Sequence, residues 1–343
     1  MSPQFASLPN KPDAREEIPV LDIAPYRLGV PGALEQLGAQ MRRALEDFGF
    51  YFVINHGIPQ DLIDGVLNAA RQFCDLPLDQ KMSLSFNEHH VGYIPLCHSA
   101  EHRTALDKDH ELNLFESFLI KRDLAADHRD VLAHKRFRAQ NQWPEGHPQI
   151  RRQIMAYVDA AERLCTSLLP LYAVALDLPA DWFAPAFREP MYTLKLSHYP
   201  QQPMDACSNS GKLPYLNSSF MTVQPQSRLV DLFIRLPNGK WIDAPDVPGS
   251  LLVSGGDLTC RWTNGRFLAT PYFANRKSDT EYYAASFFMD CDYDWVMRDI
   301  PSCAPRVGNS AFLPTTYFEY LTWYETHRHE TLSRKDGVRL SAY

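Results

Sequence analysis

The stretch LFIRLPNGKWIDA, Leu232 to Ala244, places two β-forming runs on either side of a turn that contains Asn-Gly, which is a hairpin signal. Similar runs surround it: TLKLSHY, SFMTVQ, GSLLVSG, RFLATPYFA and YYAASFFMD. Turns rich in Pro, Gly and Asn, such as WTNGR, separate them. About seven short strands in roughly a hundred residues predict a β-sandwich or jelly roll.

The first half of the chain has the periodicity of helices instead. Apolar residues recur at helical spacing from Leu34 to Phe48, from Leu62 to Phe73 and from Ile150 to Leu176. The last of these predicts a long helix that Pro170 should kink or divide in two. Helices come first and strands cluster later, so we expect an α+β fold with helices packed on a β core.

The same patterns predict the boundaries of one domain. Residues 1–17 are polar and contain proline, which predicts a flexible arm, and the last residues form a tail. The expected segments are a single domain at 18–328, made of a mostly helical part at 18–185, a jelly-roll core at 186–295 and a C-terminal helix at 296–328, followed by the tail at 329–343.

Composition excludes several classes of function. The formal charge of -7 and the lack of a Lys/Arg block argue against nucleic acid as a partner. The seven cysteines are an odd number without a C-x-x-C pair, which argues against a disulfide framework and predicts a reducing compartment. The N-terminus has no apolar signal region and no run is long enough to span a bilayer, so we expect a cytoplasmic protein without membrane contact.

Several separated motifs resemble one enzyme family. FGFYFVINHGIP (48–59), TLKLSHYP (193–200), GKWIDAPDVPGSLLVSGGDLTCRWTNGRFLATP (239–271) and FFMDCDYD (287–294) occur in its order. They are similar to the iron(II)/2-oxoglutarate-dependent oxygenases, isopenicillin N synthase-like branch. The resemblance runs from about Ile18 to Arg328. It implies a double-stranded β-helix, or jelly-roll, core flanked by helices.

The residues that carry this family's chemistry differ here. The family holds Fe(II) with an H-x-D pair and a distal histidine, and it holds 2-oxoglutarate with the arginine of R-x-S. The resemblance places the iron ligands at Tyr215, Asn217 and Tyr272, and R-x-S at Tyr282 and Ala284. No histidine lies between His198 and His327, so no shift of alignment within the β core restores two histidines.

Other residues are predicted around the same pocket. Tyr199 matches a family tyrosine near 2-oxoglutarate, and His198 should point away from its face if the segment is a strand. If LPYLNSSFMTV is extended, Ser219 shares a face with Tyr215 and Asn217. Arg261 is a candidate pocket cation only if its strand turns inward. The tyrosine hydroxyls and the Asn217 amide could form one hydrogen-bond network.

These replacements predict loss of the iron and 2-oxoglutarate sites, with no cofactor. One hypothesis is a metal-independent enzyme of the isomerase, cyclase or lyase type, acting on a small molecule of specialised metabolism. A second is a noncatalytic pseudoenzyme that binds a ligand or supports an active protein partner, and a third is a cavity filled by tyrosines. An Fe(II)/2-oxoglutarate-type oxidoreductase with unusual ligands is the remaining alternative. An open cavity would argue against the third.

A group of histidines lies outside these motifs. They have no recognised ligand spacing and lie in a charged, loop-like region, so solvated surface is favoured over a metal cluster. The residues are His89, His90, His98, His102 and His110.

Overall fold

The computed structural model describes residues 17–96, 115–201, 214–226, 229–276, 280–304 and 312–333. The helices are α1 Ala24–Arg27, α2 Ala33–Asp47, α3 Gln60–Cys74, α4 Leu78–Met82, α5 Arg129–Leu132, α6 Pro148–Ala175, α7 Asp257–Trp262 and α8 Tyr317–Ser333. The strands are β1 Val20–Asp22, β2 Phe50–Ile54, β3 Gly92–Ile94, β4 Glu116–Lys121, β5 Pro190–Tyr199, β6 Met221–Pro225, β7 Val230–Arg235, β8 Trp241–Ala244, β9 Leu251–Gly255, β10 Tyr272–Arg276, β11 Tyr282–Asp292, β12 Val296–Met297 and β13 Thr315–Thr316.

Two sheets form the β core. The larger has the order β1-β2-β9-β6-β11-β5-β4-β3, and the smaller has the order β10-β7-β8. The hairpin predicted from LFIRLPNGKWIDA is present, since β7 pairs antiparallel with β8 from Leu232 to Arg235. The predicted α+β class with a jelly-roll core and helical cover is therefore confirmed.

Each face of the large sheet packs into a different apolar core. Tyr51 and Val53 of β2 join the cluster that contains the buried faces of α2, α3 and α6. Phe50 and Phe52 point the opposite way and pack with Ile234 and the other apolar residues of β7 and β8. The two-residue alternation of a strand thus builds both cores, one beneath the helices and one between the sheets.

Two local predictions were wrong. Helix α6 continues through Pro170 from Pro148 to Ala175, so the predicted division at the proline is wrong, and a kink there stays a prediction. Burial of Leu168, Leu169 and Leu171 around the proline stabilises helical packing there and offsets the lost backbone bond. The extended stretch before β6 is also not a strand, because the ladder begins only at Met221.

Helix α8 packs on the β core through its tyrosines. The Tyr317 hydroxyl donates to the Asp290 carboxylate at 2.9 Å, and the Tyr320 hydroxyl donates to the Ser218 carbonyl at 2.7 Å. A C-terminal helix is therefore present, but it begins at Tyr317 rather than at 296, because residues 296–297 form strand β12. No helix within the described ranges combines the length and apolar character needed to cross a bilayer.

The remaining sequence predictions concern the chain termini, the histidine group, the domain boundaries and the location in the cell. The arm at 1–16, the end of the tail from 334, His98, His102 and His110 lie outside the described residues. His89 and His90 are partly buried rather than solvated, and His90 pairs with Glu325. The domain boundaries and the cytoplasmic location stay predictions.

Candidate functional site

A cavity of about 240 Å³ opens beside the edge of β11. Strand β5 pairs with β11 along its length, from Tyr282 to Asp292, whereas β6 pairs on the other side only with residues 287–289. Residues 282–286 of β11, which precede the ladder with β6, line the cavity. Of the residues predicted for the pocket, those that line it are Tyr199, Tyr215, Tyr272, Tyr282 and Ala284. The tyrosines thus converge without filling the space, which argues against the hypothesis of a cavity plugged by side chains.

Strand register explains why these side chains meet. Tyr199 lies opposite Tyr282 in the β5–β11 pair, and their rings stack with centroids 4.3 Å apart. His198 points to the other face, where its Nδ1 lies 2.8 Å from a carboxylate oxygen of Glu116. Alternation along TLKLSHYP therefore separates Tyr199 from His198, as expected of a strand.

Tyr215 and Tyr272 form the opposite side of the cavity. Their backbones make an isolated antiparallel bridge, with N–H to carbonyl distances of 2.6 and 3.0 Å. Tyr215 is 46% exposed and lies at the entrance. The Tyr272 hydroxyl donates to Asn217 Oδ1 at 3.0 Å, and Asn217 Nδ2 donates to the Ser254 hydroxyl at 2.8 Å. The predicted network is thus present between Tyr272 and Asn217, and it extends to Ser254.

The phenol of Tyr272 is held in its neutral form. Burial raises its pKa, and the neighbouring Tyr199 and Tyr215 raise it further. The Tyr272 ring also packs edge-on against Phe50 at 5.7 Å. At neutral pH the site therefore presents a phenol that donates a hydrogen bond, rather than a phenolate.

Asn217 and Ser219 do not line the cavity, although both were predicted there. Asn217 adjoins a separate void of about 10 Å³ with Tyr272, and Ser219 is buried and bonds to the Thr222 hydroxyl at 2.8 Å. The chain before β6 lies against Gly256, where a Cβ would be 2.7 Å from the Asn217 carbonyl oxygen and would also meet that of Ser219. This close approach to a glycine turns residues 217–219 out of the alternation that the sequence suggested.

Arg261 also lies outside the cavity, because its segment is a helix instead of an inward-turning strand. It belongs to α7, its Nε donates to the Asp257 carboxylate at 2.7 Å, and its guanidinium lies 3.9 Å from the Trp323 ring centroid. Arg261 thus joins α7 to α8 and supplies no charge to the pocket.

Sequence reasoning missed several lining residues. They are Phe115, Lys195, Ser197, Gln224 and Ser286, together with further apolar side chains. The signal was available for two of them. Counting back from Tyr199 by two and four residues along TLKLSHYP gives Ser197 and Lys195, which a strand must place on the same face.

The donors at the family's iron positions do not fit its usual coordination. Tyr215 and Tyr272 offer phenols, and Asn217 Oδ1 already accepts a hydrogen bond from Tyr272. Neutral phenol and amide oxygens are weak ligands for Fe(II), which such sites hold with imidazole and carboxylate. Tyr282 likewise has no charge for the far carboxylate of 2-oxoglutarate.

Two other groups within the described residues bring metal-ligating side chains together: Cys74 with Glu116 and His198, and His128 with Asp130 and Glu189. Cations of the protein already neutralise both. Lys81 donates to Glu116 at 2.8 Å, and Arg138 pairs with Asp130 at 2.9 Å and also with Glu189. Burial alone would raise the pKa of Glu116, but hydrogen bonds from His198, Lys81 and Tyr93 outweigh it and lower that pKa to about 2. These groups are structural ion-pair networks.

Two family models match the chain. Residues 18–146 match the non-haem dioxygenase in morphine synthesis N-terminal model, and residues 190–290 match the 2OG-Fe(II) oxygenase superfamily model. A 2-oxoglutarate-Fe(II) type oxidoreductase of Emericella nidulans is 29% identical over 307 residues, covering 87% of this chain and 86% of that protein. A 2-oxoglutarate-dependent dioxygenase of Didymella fabae is 26% identical, covering 87% and 92%.

Solved structures share the fold. A 2OG-Fe(II) oxygenase family protein from Caulobacter crescentus superposes with a TM-score of 0.79 at 21% identity, covering 91% of this chain and 99% of that one. A full-length Neurospora crassa protein in complex with alpha-KG and thymine gives 0.79 at 18% identity, covering 91% and 97%.

These relatives correct one prediction. The expectation of no cofactor is wrong, because the relatives are 2-oxoglutarate-Fe(II) type enzymes and the Neurospora crassa structure holds alpha-KG. Loss of the iron and 2-oxoglutarate sites is not established by the comparisons. The matched models, which together cover most of the chain, and the relatives agree on one family. The matches support membership of the 2OG-Fe(II) oxygenase superfamily.

Proposed function

We propose that the chain is a small-molecule oxidoreductase of the 2OG-Fe(II) type whose active site is the tyrosine-lined cavity and whose donor set is unusual. The observation that carries the proposal is the open space of about 240 Å³ at the positions where the family motifs fall. A cavity with convergent polar groups and an apolar wall is the common form of a small-molecule site. Relatives that are oxidoreductases of this type support the reaction class.

The donor set makes this proposal specific. Tyr215 and Tyr272 line the cavity, and Asn217 is hydrogen-bonded to Tyr272 beside a separate small void. With these neutral donors, Fe(II) affinity must be lower than at a site with two histidines and a carboxylate. The raised pKa of Tyr272 opposes formation of a phenolate near neutral pH. We therefore expect iron binding to strengthen as pH rises, since deprotonation would supply the charged oxygen that a metal prefers.

Anaerobic calorimetric titration tests this proposal. The purified, metal-stripped chain is titrated with Fe(II), with and without 2-oxoglutarate. Weak saturable binding that 2-oxoglutarate strengthens supports the proposal, and Asn217→Ala should weaken it. Tyr293→Phe is the matched control, because this tyrosine lies outside the cavity lining. No saturable binding of Fe(II) at any pH tested, from neutral to mildly alkaline, would refute the iron-dependent function.

The neutral donors favour one other candidate, a noncatalytic member that binds a small molecule or supports a protein partner. Such a protein would bind its ligand in the cavity without turnover, and the Fe(II) titration distinguishes it from the oxidoreductase. The relatives, which are 2-oxoglutarate-Fe(II) type enzymes, give no support to the metal-independent isomerase, cyclase or lyase activity predicted from the sequence.

A further inference from the structure

We propose that the ligand of this cavity carries a neutral amide group, which pairs with the side chain of Gln224 and with the open edge of β11. The inference rests on the proposed use of the cavity as a small-molecule site, and it adds the chemical class of the ligand. It does not depend on iron, so it can be tested without turnover.

The open edge arises because β6 leaves β11 at a proline. Val223 pairs with Phe287, and β6 ends two residues later at Pro225. Proline has no backbone N–H, so it cannot donate to a further rung of that ladder. On its other side β6 stays paired with β9 as far as Pro225. The sheet therefore splits between β6 and β11, and residues on both sides of the split line the cavity.

Main-chain atoms of β11 form part of the cavity wall. Tyr283 and Ala285 both line the cavity, although their side chains point to the opposite face of the strand. The Tyr283 ring stacks on His198 at 4.5 Å, and Ala285 is 1% exposed within the core beneath the helices. Among the described residues, only β5 pairs with this part of β11. A strand bonded on one side alone presents N–H donors and C=O acceptors along its other side.

Gln224 supplies a second set of donors and acceptors at the same place. Its Oε1 accepts from the Ser286 hydroxyl at 3.2 Å, where the two strands separate. Within the part of the chain that the structure describes, its Nε2 donates no hydrogen bond. Gln224 is half-buried and borders both the cavity and the void of about 10 Å³ beside Tyr272. The bond from Ser286 thus orients the carboxamide, and its N–H groups are available to a ligand.

An amide matches both elements because it donates and accepts at once. The strand edge and the Gln224 carboxamide each offer donors together with acceptors. A carboxylate or a ketone can only accept, so either would leave an acceptor of the edge without a partner. A ligand amide can donate to a β11 carbonyl while it accepts from a backbone N–H or from Gln224 Nε2. Main-chain hydrogen bonds of this kind give affinity wherever a ligand pairs with an open strand edge.

The volume limits the ligand to a small molecule. A cavity of roughly 150 Å³ accommodates benzene, so about 240 Å³ has room for one ring with a carboxamide. Benzamide is therefore the probe. Acetophenone is its matched control, because a methyl group replaces the amino group of the amide. Benzoate has the shape of benzamide, but it has no N–H donor and carries a negative charge.

The test measures binding of these three probes to the full-length chain by calorimetry and ligand-observed NMR, with no iron added. We expect benzamide to bind about tenfold more tightly than either of the other two, because each of them leaves a backbone acceptor unpaired. Gln224→Met removes the carboxamide at similar size and should reduce this preference to about twofold. Gln60→Met is the matched control, since Gln60 lies outside the cavity lining, and it should keep the preference.

Backbone amide resonances of the isotope-labelled chain locate the contact. Benzamide should shift the amides of residues 283–285 more than acetophenone does. Ser286→Ala keeps Gln224 but removes the hydroxyl that orients it, so this variant should also weaken the preference. It decides the proposal if thermal melting shows that Gln224→Met does not fold.

Several results would overturn the proposal. They are equal binding of benzamide and acetophenone, tighter binding of benzoate, and no binding of benzamide. An unchanged preference in both cavity variants, or shifts confined to residues away from β11, would do the same. An amide preference in a chain that fails to bind Fe(II) would support this ligand class while refuting iron-dependent turnover.

Discussion

Replacing Tyr272 with phenylalanine removes one hydroxyl from the centre of the candidate site and leaves the ring in place. That hydroxyl donates to Asn217 Oδ1 at 3.0 Å, whereas the edge-on packing of the ring on Phe50 does not use it. Leaving a fully buried acceptor without its partner costs about 1–3 kcal/mol, and the bond to Asn217 is only partly buried. A void of about 10 Å³ already adjoins Asn217 and Tyr272, and the vacated space would bring it to the size of one water.

A water in that void would restore part of the lost hydrogen bonding. We therefore expect Tyr272→Phe to lower the free energy of unfolding by about 1 kcal/mol, at the low end of that range. Tyr215→Phe is the matched control at the cavity entrance. Its side chain is 46% exposed, so the same deletion should change stability by less than about 0.5 kcal/mol.

Urea unfolding followed by circular dichroism measures both variants against the wild type. Equal midpoints for Tyr272→Phe and wild type, or an equal loss for Tyr215→Phe, would show that the bond to Asn217 does not order the site.

Three further predictions concern charge and the donor set. Glu116→Gln should lower the free energy of unfolding in urea by about 3 kcal/mol, because it leaves the buried Lys81 ammonium without its carboxylate. The control Glu281→Gln changes a side chain that is 44% exposed, so it should lower that free energy by under about 1 kcal/mol. Similar losses for the two variants would contradict this prediction. Burial raises the pKa of Asp290 to about 6, so the folded state binds the proton more tightly than the unfolded state. Stability should therefore fall, relative to Asp290→Asn, by roughly 2 kcal/mol as pH rises from about 4 to 6, and a pH-independent difference would refute this. The triple variant Tyr215→His, Asn217→Asp and Tyr272→His restores the family's iron ligands. It should raise Fe(II) affinity at least about tenfold in anaerobic calorimetry. No gain in affinity would show that the three positions do not face one metal site.

The framework of the site was predictable because it depends on alternation and on turns. Tyr199 and Tyr282 were placed in the pocket from separate motifs, and strand register brings them opposite each other. The hairpin at Leu232–Ala244 followed from its Asn-Gly turn. These features are local or arise from a two-residue period, and the sequence displays both directly.

Features that depend on tertiary contact were not predictable. The chain around Ser219 leaves the strand pattern because it packs against Gly256, which lies far along the sequence. Arg261 joins a helix of six residues, too short for a periodic signal, and its partners Asp257 and Trp323 include a residue of the distant α8. Only assembly of the sheet and α8 fixes these positions.

The fold resembles that of the superfamily although the side chains at its iron-binding positions differ, and strand pairing explains how both can be true. Pairing of β5 with β11 uses backbone groups from Pro190 to Tyr199, so it does not depend on which side chains point into the cavity. Apolar burial on the helix-facing side stabilises the sheet, and the cavity side can hold histidine, tyrosine or lysine with little effect on pairing. Similarity to the superfamily therefore establishes the framework, while the ligand must be inferred from the side chains present. Here these give neutral phenols at Tyr215 and Tyr272, with the Asn217 amide hydrogen-bonded to Tyr272. Weak iron affinity that increases as pH rises is the behaviour that this arrangement predicts.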